Sequence, residues 1–312
     1  MTQTTDDVRN GDRPRVHSED YFGDARDFWW NGDFLALIAR RLDLASARMV
    51  LDVGCGFGHW SRALGATLAP EARLFGVDRE ATSLKEATLR TSRTPLGARA
   101  SFRLGDALAL PFHDGVFDLV TCQTLLIHLA DPAGALREMM RVLAPGGRVL
   151  VVEPDNLATS IGHDARENGF EPREIVDLFR FQLLCEAGKR ALGEGDNSLA
   201  VRLPSLFLEA GFGALESFQG DRPALIAPPY ESPAQRALIA ETTQFLEEGH
   251  ALWRRPDTER YFLAGGGERE ELSKLWALAT EHRRRVLVAI KAGRYCSSGG
   301  HVTTLMTGTK PR

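Results

Sequence analysis

The stretch Val50-Leu51-Asp52-Val53-Gly54-Cys55-Gly56-Phe57-Gly58 joins an apolar run directly to a glycine-rich turn, with a helical pattern behind it. Glycine at 54 and 56 removes side chains that would keep a ligand from the backbone amides. A helix starting behind such a turn presents unpaired N–H groups and about half a unit of positive charge. The turn could therefore hold an anionic or polar group; a nucleotide-binding loop, or a purely structural tight turn, begins in the same way. Twenty residues after Gly58 comes Gly76-Val77-Asp78, an acid closing the next apolar run. A carboxylate there can accept both hydroxyls of a ribose, or more plainly end a strand in solvent or cap a helix. A third strand end, Leu104-Gly105-Asp106-Ala107, could accept from an exocyclic amino group, with Leu108 flanking the ring.

Other residues could serve an acceptor. His128, in Thr124-Leu125-Leu126-Ile127-His128 after the fourth apolar run, is a candidate base; packing on or capping the helix that begins near Asp131-Pro132 is the plainer account. Tyr21, Phe22, Phe28, Trp29 and Trp30 form an aromatic cluster that could cover an apolar or cationic ligand, or simply pack on the core. His163, Glu186, His250 and Tyr295 fall in helical segments and could line a substrate, although surface or core placement explains each of them as well.

The elements that must position these residues alternate. Strand candidates are Met49–Val53, Arg73–Asp78, Ala100–Leu104, Phe117–Cys122 and Arg148–Glu153, with helices around Trp60–Leu68, Glu80–Leu89 and Ala133–Leu143 between them. Continuous apolar strands separated by helices predict an α/β fold: a Rossmann-like, doubly wound, mostly parallel sheet with helices on both faces. After Glu153 the alternation stops, and helices are expected over 171–189 and within 233–292, with Gly293 at a C-terminal cap. A helix, a turn and a strand over 203–219 return to the sheet, and 301–309 reads as a final antiparallel edge strand. The expected organisation is a leader and aromatic lid at 1–44, a core at 45–155, a helical insertion at 156–200, a core continuation at 201–230, a helical cap at 231–297 and the final strand and tail at 298–312. Residues 1–20 carry almost nothing to bury and read as a loose leader.

The 312 residues, 43% hydrophobic and 26% charged, have ample material for a core. A net charge of −4 gives no global pull toward nucleic acid or anionic lipid. The basic runs Arg254-Arg255 and Arg283-Arg284-Arg285 sit among Glu247, Glu248, Glu259 and Glu281, so a solvated helix face accounts for them better than RNA does. Cys55, Cys122, Cys185 and Cys296 are scattered without metal-ligand spacing, which argues against disulfides and a structural metal. With no apolar leader and no run of about 18 apolar residues, a cytoplasmic location away from membranes is expected; the oligomeric state is left open.

Taken in order, the glycine motif, Asp78, Asp106-Ala107, the strand end Cys122-Gln123, and Leu143-Ala144-Pro145-Gly146-Gly147 before a strand ending in Glu153 resemble the motif set of class I S-adenosylmethionine-dependent methyltransferases. The likeness covers roughly residues 45–155 and is greatest to the group containing the ubiquinone and menaquinone methyltransferases. It implies S-adenosyl-L-methionine as cofactor, S-adenosyl-L-homocysteine as product, no metal, and a small-molecule acceptor with an O, N or C nucleophile. It also implies that Gly54, Cys55 and Gly56 border the methionine moiety through their backbone, and that Asp52 reaches its ammonium group directly or through water. Asp78 would hold the ribose, Arg79 would lie by the adenine edge, Asp106 and Ala107 would contact the base, and Gln123 would lie near the methionine carboxylate. Tyr21, Phe22, Trp29, Trp30 and Tyr295 are then lid or substrate candidates.

An [Asn/Asp]-Pro-Pro-[Tyr/Phe] motif, expected for DNA or amide nitrogen methylation, is replaced by Gln123-Thr124-Leu125-Leu126; Pro228-Pro229-Tyr230 follows Ala227 and reads as a turn. A nicotinamide enzyme would need its third glycine at 59, where His59 stands. A protein that binds the cofactor without transferring its methyl group, and less readily an RNA methyltransferase, remain as alternatives.

Overall fold

Apolar runs become strands here because helices cover both faces of a parallel sheet over its central strands. In the computed structural model, which describes residues 24–161, 169–221, 224–250, 253–299 and 302–312, β1 spans Met49–Val53, β2 Arg73–Asp78, β3 Ala100–Leu104, β4 Phe117–Gln123 and β5 Leu143–Pro154. Their side chains alternate between two cores. Leu51, Val53, Val120, Cys122, Val149 and Val151 point to one face, where α4 (Pro132–Val142) and α7 (Leu203–Glu209) cover them. Val50, Leu119, Leu150 and Val152 point to the other, under α1 (Gly32–Arg41) and α2 (His59–Gly65).

The seven-stranded sheet has the order β3-β2-β1-β4-β5-β9-β6, with β6 at Gly213–Gln219 and β9 at Thr303–Thr309. The first five strands are parallel. β9 runs antiparallel, as expected, but lies between β5 and β6, so β6 and not β9 forms the rim. Leu305 and Met306 explain the inward place: they are buried on opposite faces, one in each core, where a rim strand would have left them half covered.

Beyond the sheet, α6 (Pro172–Ala191), α9 (Arg255–Ala264) and α10 (Arg269–Lys291) share a third core built on Phe181, Cys185, Tyr261, Phe262 and Leu275. A two-stranded ribbon pairs β7 (Ala224–Ile226) with β8 (Ser297–Gly299), next to α8 (Pro233–Glu247). All four cysteines are free. No helix among the described residues is long and apolar enough to cross a membrane.

Candidate functional site

The chain leaves β1 for β2 and β3 on one side of the sheet and returns to β4 on the other. That reversal opens a crevice at the carboxyl ends of the strands, the usual place for a ligand in an open α/β sheet. A cavity of about 840 Å³ lies there, lined by Gly54–Phe57 after β1, Asp78–Glu80 after β2, Gly105–Leu108 after β3, and Gln123–Leu125 at the end of β4. Thus Gly54, Cys55, Gly56, Asp78, Arg79, Asp106, Ala107 and Gln123, picked from four separate segments, all meet one space.

The glycine turn works differently from the expectation that its amides await a ligand. Gly54 and Cys55 both donate their N–H groups to the Val77 carbonyl (2.7 and 3.0 Å), and Gly58 donates to Cys55 (2.8 Å). The Gly56 N–H is taken by Asp78 Oδ2 at 2.9 Å. Gly54 sits at φ 68°, a conformation other residues adopt only with strain, and a Cβ there would also lie 2.6 Å from Leu125 Cδ1, so backbone conformation and packing both favour glycine. At Gly56 (φ 49°) a Cβ would meet nothing within 4 Å, so here the missing side chain leaves the cavity open. Asp78 ties the turn to the start of α3 (Ala81–Ser92), accepting from the Glu80 N–H with Oδ1 (2.9 Å) while still facing the cavity. Asp106 shapes its own turn by accepting from the Leu108 N–H (2.9 Å), and Arg79 makes a long, exposed pair with Glu80.

Asp52 is absent from the wall. It points under α2, is 1% exposed, and accepts from the Ser61 hydroxyl at 2.5 Å; its other oxygen, Oδ1, is buried with no protein partner. Burial, with Asp78 adding repulsion, pushes this carboxyl up to about 7. The same environment raises the Cys55 thiol well above its ordinary range, so it stays protonated and presents no nucleophile. In the unfolded chain an aspartate loses its proton near 4, whereas the folded protein keeps this one to about 7. Between those values the unfolded state binds fewer protons, so Asp52 makes stability fall as pH rises from about 4 to 7 and adds no slope above that. We expect Asp52→Asn to flatten that part of a denaturant-derived stability profile, by on the order of a few kcal/mol at pH 8 relative to pH 5. Parallel profiles for the two proteins would show that Asp52 is ionised throughout.

The opposite wall is aromatic and aliphatic: Trp29, Trp30, Leu125, Leu129 and Ala130, with Arg26, His59 and His128. Trp30 stacks on Phe34 (6.1 Å between centroids) and tilts against Trp60 (5.3 Å). Trp60 is itself anchored by Nε1 donating to Thr121 Oγ1 (2.9 Å), which donates to the Leu150 carbonyl (2.6 Å). Trp29 lies beneath the Arg26 guanidinium at 5.1 Å. The turn that carries Arg26 is pinned to α2 by Asp27, which meets His59 Nδ1 (2.7 Å) and Arg62 (2.6 Å); chiefly the His59 bond lowers its carboxyl to about 2. His128 ends a short 3-10 turn and faces the cavity, while α4 is capped by Asp131, which accepts from Gly134 N–H at 2.7 Å.

Tyr295 does not line the cavity. It is buried with Ile226, Val286 and Ile290, and its carbonyl accepts from the Tyr230 hydroxyl, beside the expected turn at Pro228-Pro229. Tyr21, Phe22 and His163 lie outside the described residues. Glu186 and His250 are buried away from the wall. Arg26, His59, Thr124 and Gly193 line the cavity without a sequence motif having marked them; the aromatic neighbours of Arg26 were the only available signal.

A profile for a methyltransferase domain matches residues 51–151. The demethylmenaquinone methyltransferase of Symbiobacterium thermophilum is 32% identical over 191 residues, covering 59% of this chain and 74% of that protein. The enzyme of the same name from Lactiplantibacillus plantarum is 41% identical over 113 residues, 36% of this chain and 48% of the relative. The chain spans only about a third to a half of the length of several curated relatives it matches. Among solved structures, the YcgJ protein of Bacillus subtilis superposes with a TM-score of 0.50 at 17% identity, covering 90% of this chain and all of that one, a likeness of fold.

Proposed function

Because the chain belongs to the class I S-adenosylmethionine-dependent methyltransferases, we propose that it acts in the cytoplasm, moving a methyl group from S-adenosylmethionine to a nucleophile on a small-molecule acceptor. The observation that carries this reading is the convergence of Gly56, Asp78, Asp106, Ala107 and Gln123 on one cavity from four strand ends. Two features suit a cofactor that is a sulfonium cation with an ammonium group. Gly56 keeps open the space a side chain would fill, and buried Asp52 beneath the turn has a carboxylate oxygen without a protein partner. Asp78 would hold the ribose, Asp106 and Ala107 the adenine, Gln123 the methionine carboxylate, and Arg79 the adenine edge. The bound cofactor supplies an electrophilic methyl carbon on a positively charged sulfur.

What this chain adds is alignment and dryness. Holding two reactants in line can contribute about 7–11 kcal/mol, and the Trp29, Trp30, Leu125 and Leu129 wall keeps water from the reacting atoms. A cavity of about 840 Å³ has room for an acceptor beside the cofactor. Where the acceptor must lose a proton, the His128 imidazole on this wall would take it.

Calorimetry with S-adenosylmethionine, followed by a screen for S-adenosylhomocysteine release across small hydroxyl, amine and acidic-carbon compounds, tests the reading. Failure to bind the cofactor refutes it, and binding without release by any acceptor favours a cofactor-binding protein that transfers nothing. With an acceptor in hand, Trp29→Ala should lower kcat/KM about 2–10-fold, as expected for losing one aromatic contact, while cofactor affinity changes less than about threefold. Equal losses in both would assign Trp29 to the cofactor. Trp30 is a poorer probe because it also packs on Trp60 and Phe34.

A further inference from the structure

Among the described residues, the helical unit enters the cavity wall at one place. After α6 the chain turns at Gly193, which lines the cavity, and passes beneath the 3-10 turn that carries His128. At Gly195 (φ 98°) a Cβ would collide with the Ile127 carbonyl oxygen and lie 3.0 Å from His128 Cα, so the two backbones touch. The next residue closes the contact, with the Asp196 N–H donating to the Ile127 carbonyl at 2.9 Å.

This strap is bolted to the helices on both sides of the contact. Glu194 takes the Arg260 guanidinium on both carboxylate oxygens and the Tyr261 hydroxyl at 2.7 Å, which ties it to α9. The Asp196 carboxylate accepts from Ser198 N–H, Arg202 and Arg190. Buried Asn197 accepts from Lys189 Nζ (2.5 Å) and donates to Glu186 (3.3 Å), tying it to α6. Those two helices are themselves in backbone contact, since a Cβ on Gly188 or Gly265 would strike the Tyr261 or Leu184 carbonyl. From the sheet side, Glu153 Oε1 accepts from the Leu125 and Leu126 N–H groups (3.0 and 2.7 Å). The turn at 125–128 is thus held between a buried acid of β5 and a strap belonging to α6 and α9.

We propose that Gly195 and Asp196 are positioning residues that act through the Ile127 carbonyl to set where His128 stands in the cavity, so that the α6–α9 pair governs the acceptor side. The inference rests on the reading that the acceptor binds beside His128. Its physical weight comes from the tolerance of aligned transfer, in which a shift of about 1 Å can cost on the order of a hundredfold in rate.

The test uses full-length protein with and without S-adenosylhomocysteine. The His128 imidazole is assigned by its loss in His128→Gln and followed by NMR through a pH titration, with amide exchange read at residues 125–130. Gly195→Ala should displace the His128 titration and speed exchange at His128 and Leu129 by about tenfold, the strap being pushed off Ile127. Glu194→Gln, which loosens the tie to α9 without touching the contact, should move the same signals in the same direction by less. S-adenosylhomocysteine affinity should stay within about threefold, and with an acceptor kcat should fall more than KM changes. A folded Gly195→Ala with an unchanged His128 titration overturns the proposal; if that variant does not fold, an unchanged titration in Glu194→Gln overturns it instead. Loss of cofactor binding in the wild type would defeat the methyltransferase reading, and the His128 signals would still decide the contact.

Discussion

Replacing Asp78 with Ala is expected to weaken S-adenosylmethionine binding by about 5–150-fold, equivalent to roughly 1–3 kcal/mol. The carboxylate holds the glycine turn through the Gly56 N–H and the start of α3 through the Glu80 N–H, while facing the cavity where the ribose would sit. Its removal therefore takes away a ligand acceptor and loosens the turn that leaves room for the ligand. Calorimetry separates these losses when Asp78→Asn is added: an amide oxygen can still accept one backbone N–H, so a turn-anchoring role would be partly rescued and a charge-assisted bond to the ribose would not. Wild-type affinity in a folded Asp78→Ala protein would remove Asp78 from the site.

The largest loss of stability is expected at Phe117. Its side chain is fully buried at the start of β4, edge-on to Phe112 (4.8 Å between centroids) and Phe75 (5.7 Å), and surrounded by apolar residues of α4 and β5. Phe117→Ala removes a ring and leaves a cavity that a packed core cannot close, at a cost of about 3–5 kcal/mol. Urea unfolding monitored by circular dichroism should show it as a lower midpoint with little change in slope. A loss under about 1 kcal/mol would mean that the core refills the space.

Much of this was legible from residues alone, for a physical reason. Strands covered on both faces must be largely apolar and stop where polar or glycine residues begin, so β1 and β2 follow their apolar runs, whereas β3, a rim strand containing Ser101 and Arg103, is mostly exposed and carries a weaker signal. The cavity's cofactor side was equally readable because each of its residues sits at or just beyond such an end. The acceptor side was readable only in part. Trp29, Trp30 and His128 were marked in advance and line the cavity, and Arg26 had its aromatic neighbours as a signal, but His59 and Gly193 reach the wall through tertiary packing of a helix start and a helix end that their neighbours in sequence do not announce. Tyr295 erred in the other direction, since an aromatic residue near the helical segments reads alike whether it faces a ligand or Ile226 and Ile290. The inward place of β9 was hidden because alternating branched residues suit a rim strand and a penultimate one equally.

The place of β9 also governs the order in which this molecule can be made. β5 pairs on one side with β4, but its other side waits for Thr303–Thr309, and Val149 ends opposite Gly308. During synthesis at about 5–20 residues per second, the intervening stretch of chain takes roughly 7–30 s to make. Through that interval one edge of β5 has no strand to bond, and β6, whose one partner among the described residues is β9, has no place in the sheet. The helices of the third core are all made in the meantime, and they can gather locally at little entropic cost, whereas the β5–β9 ladder must close a very long loop. Completion of the sheet thus waits for the last-made of its seven strands, and until then the chain carries an open strand edge, a template for mispairing.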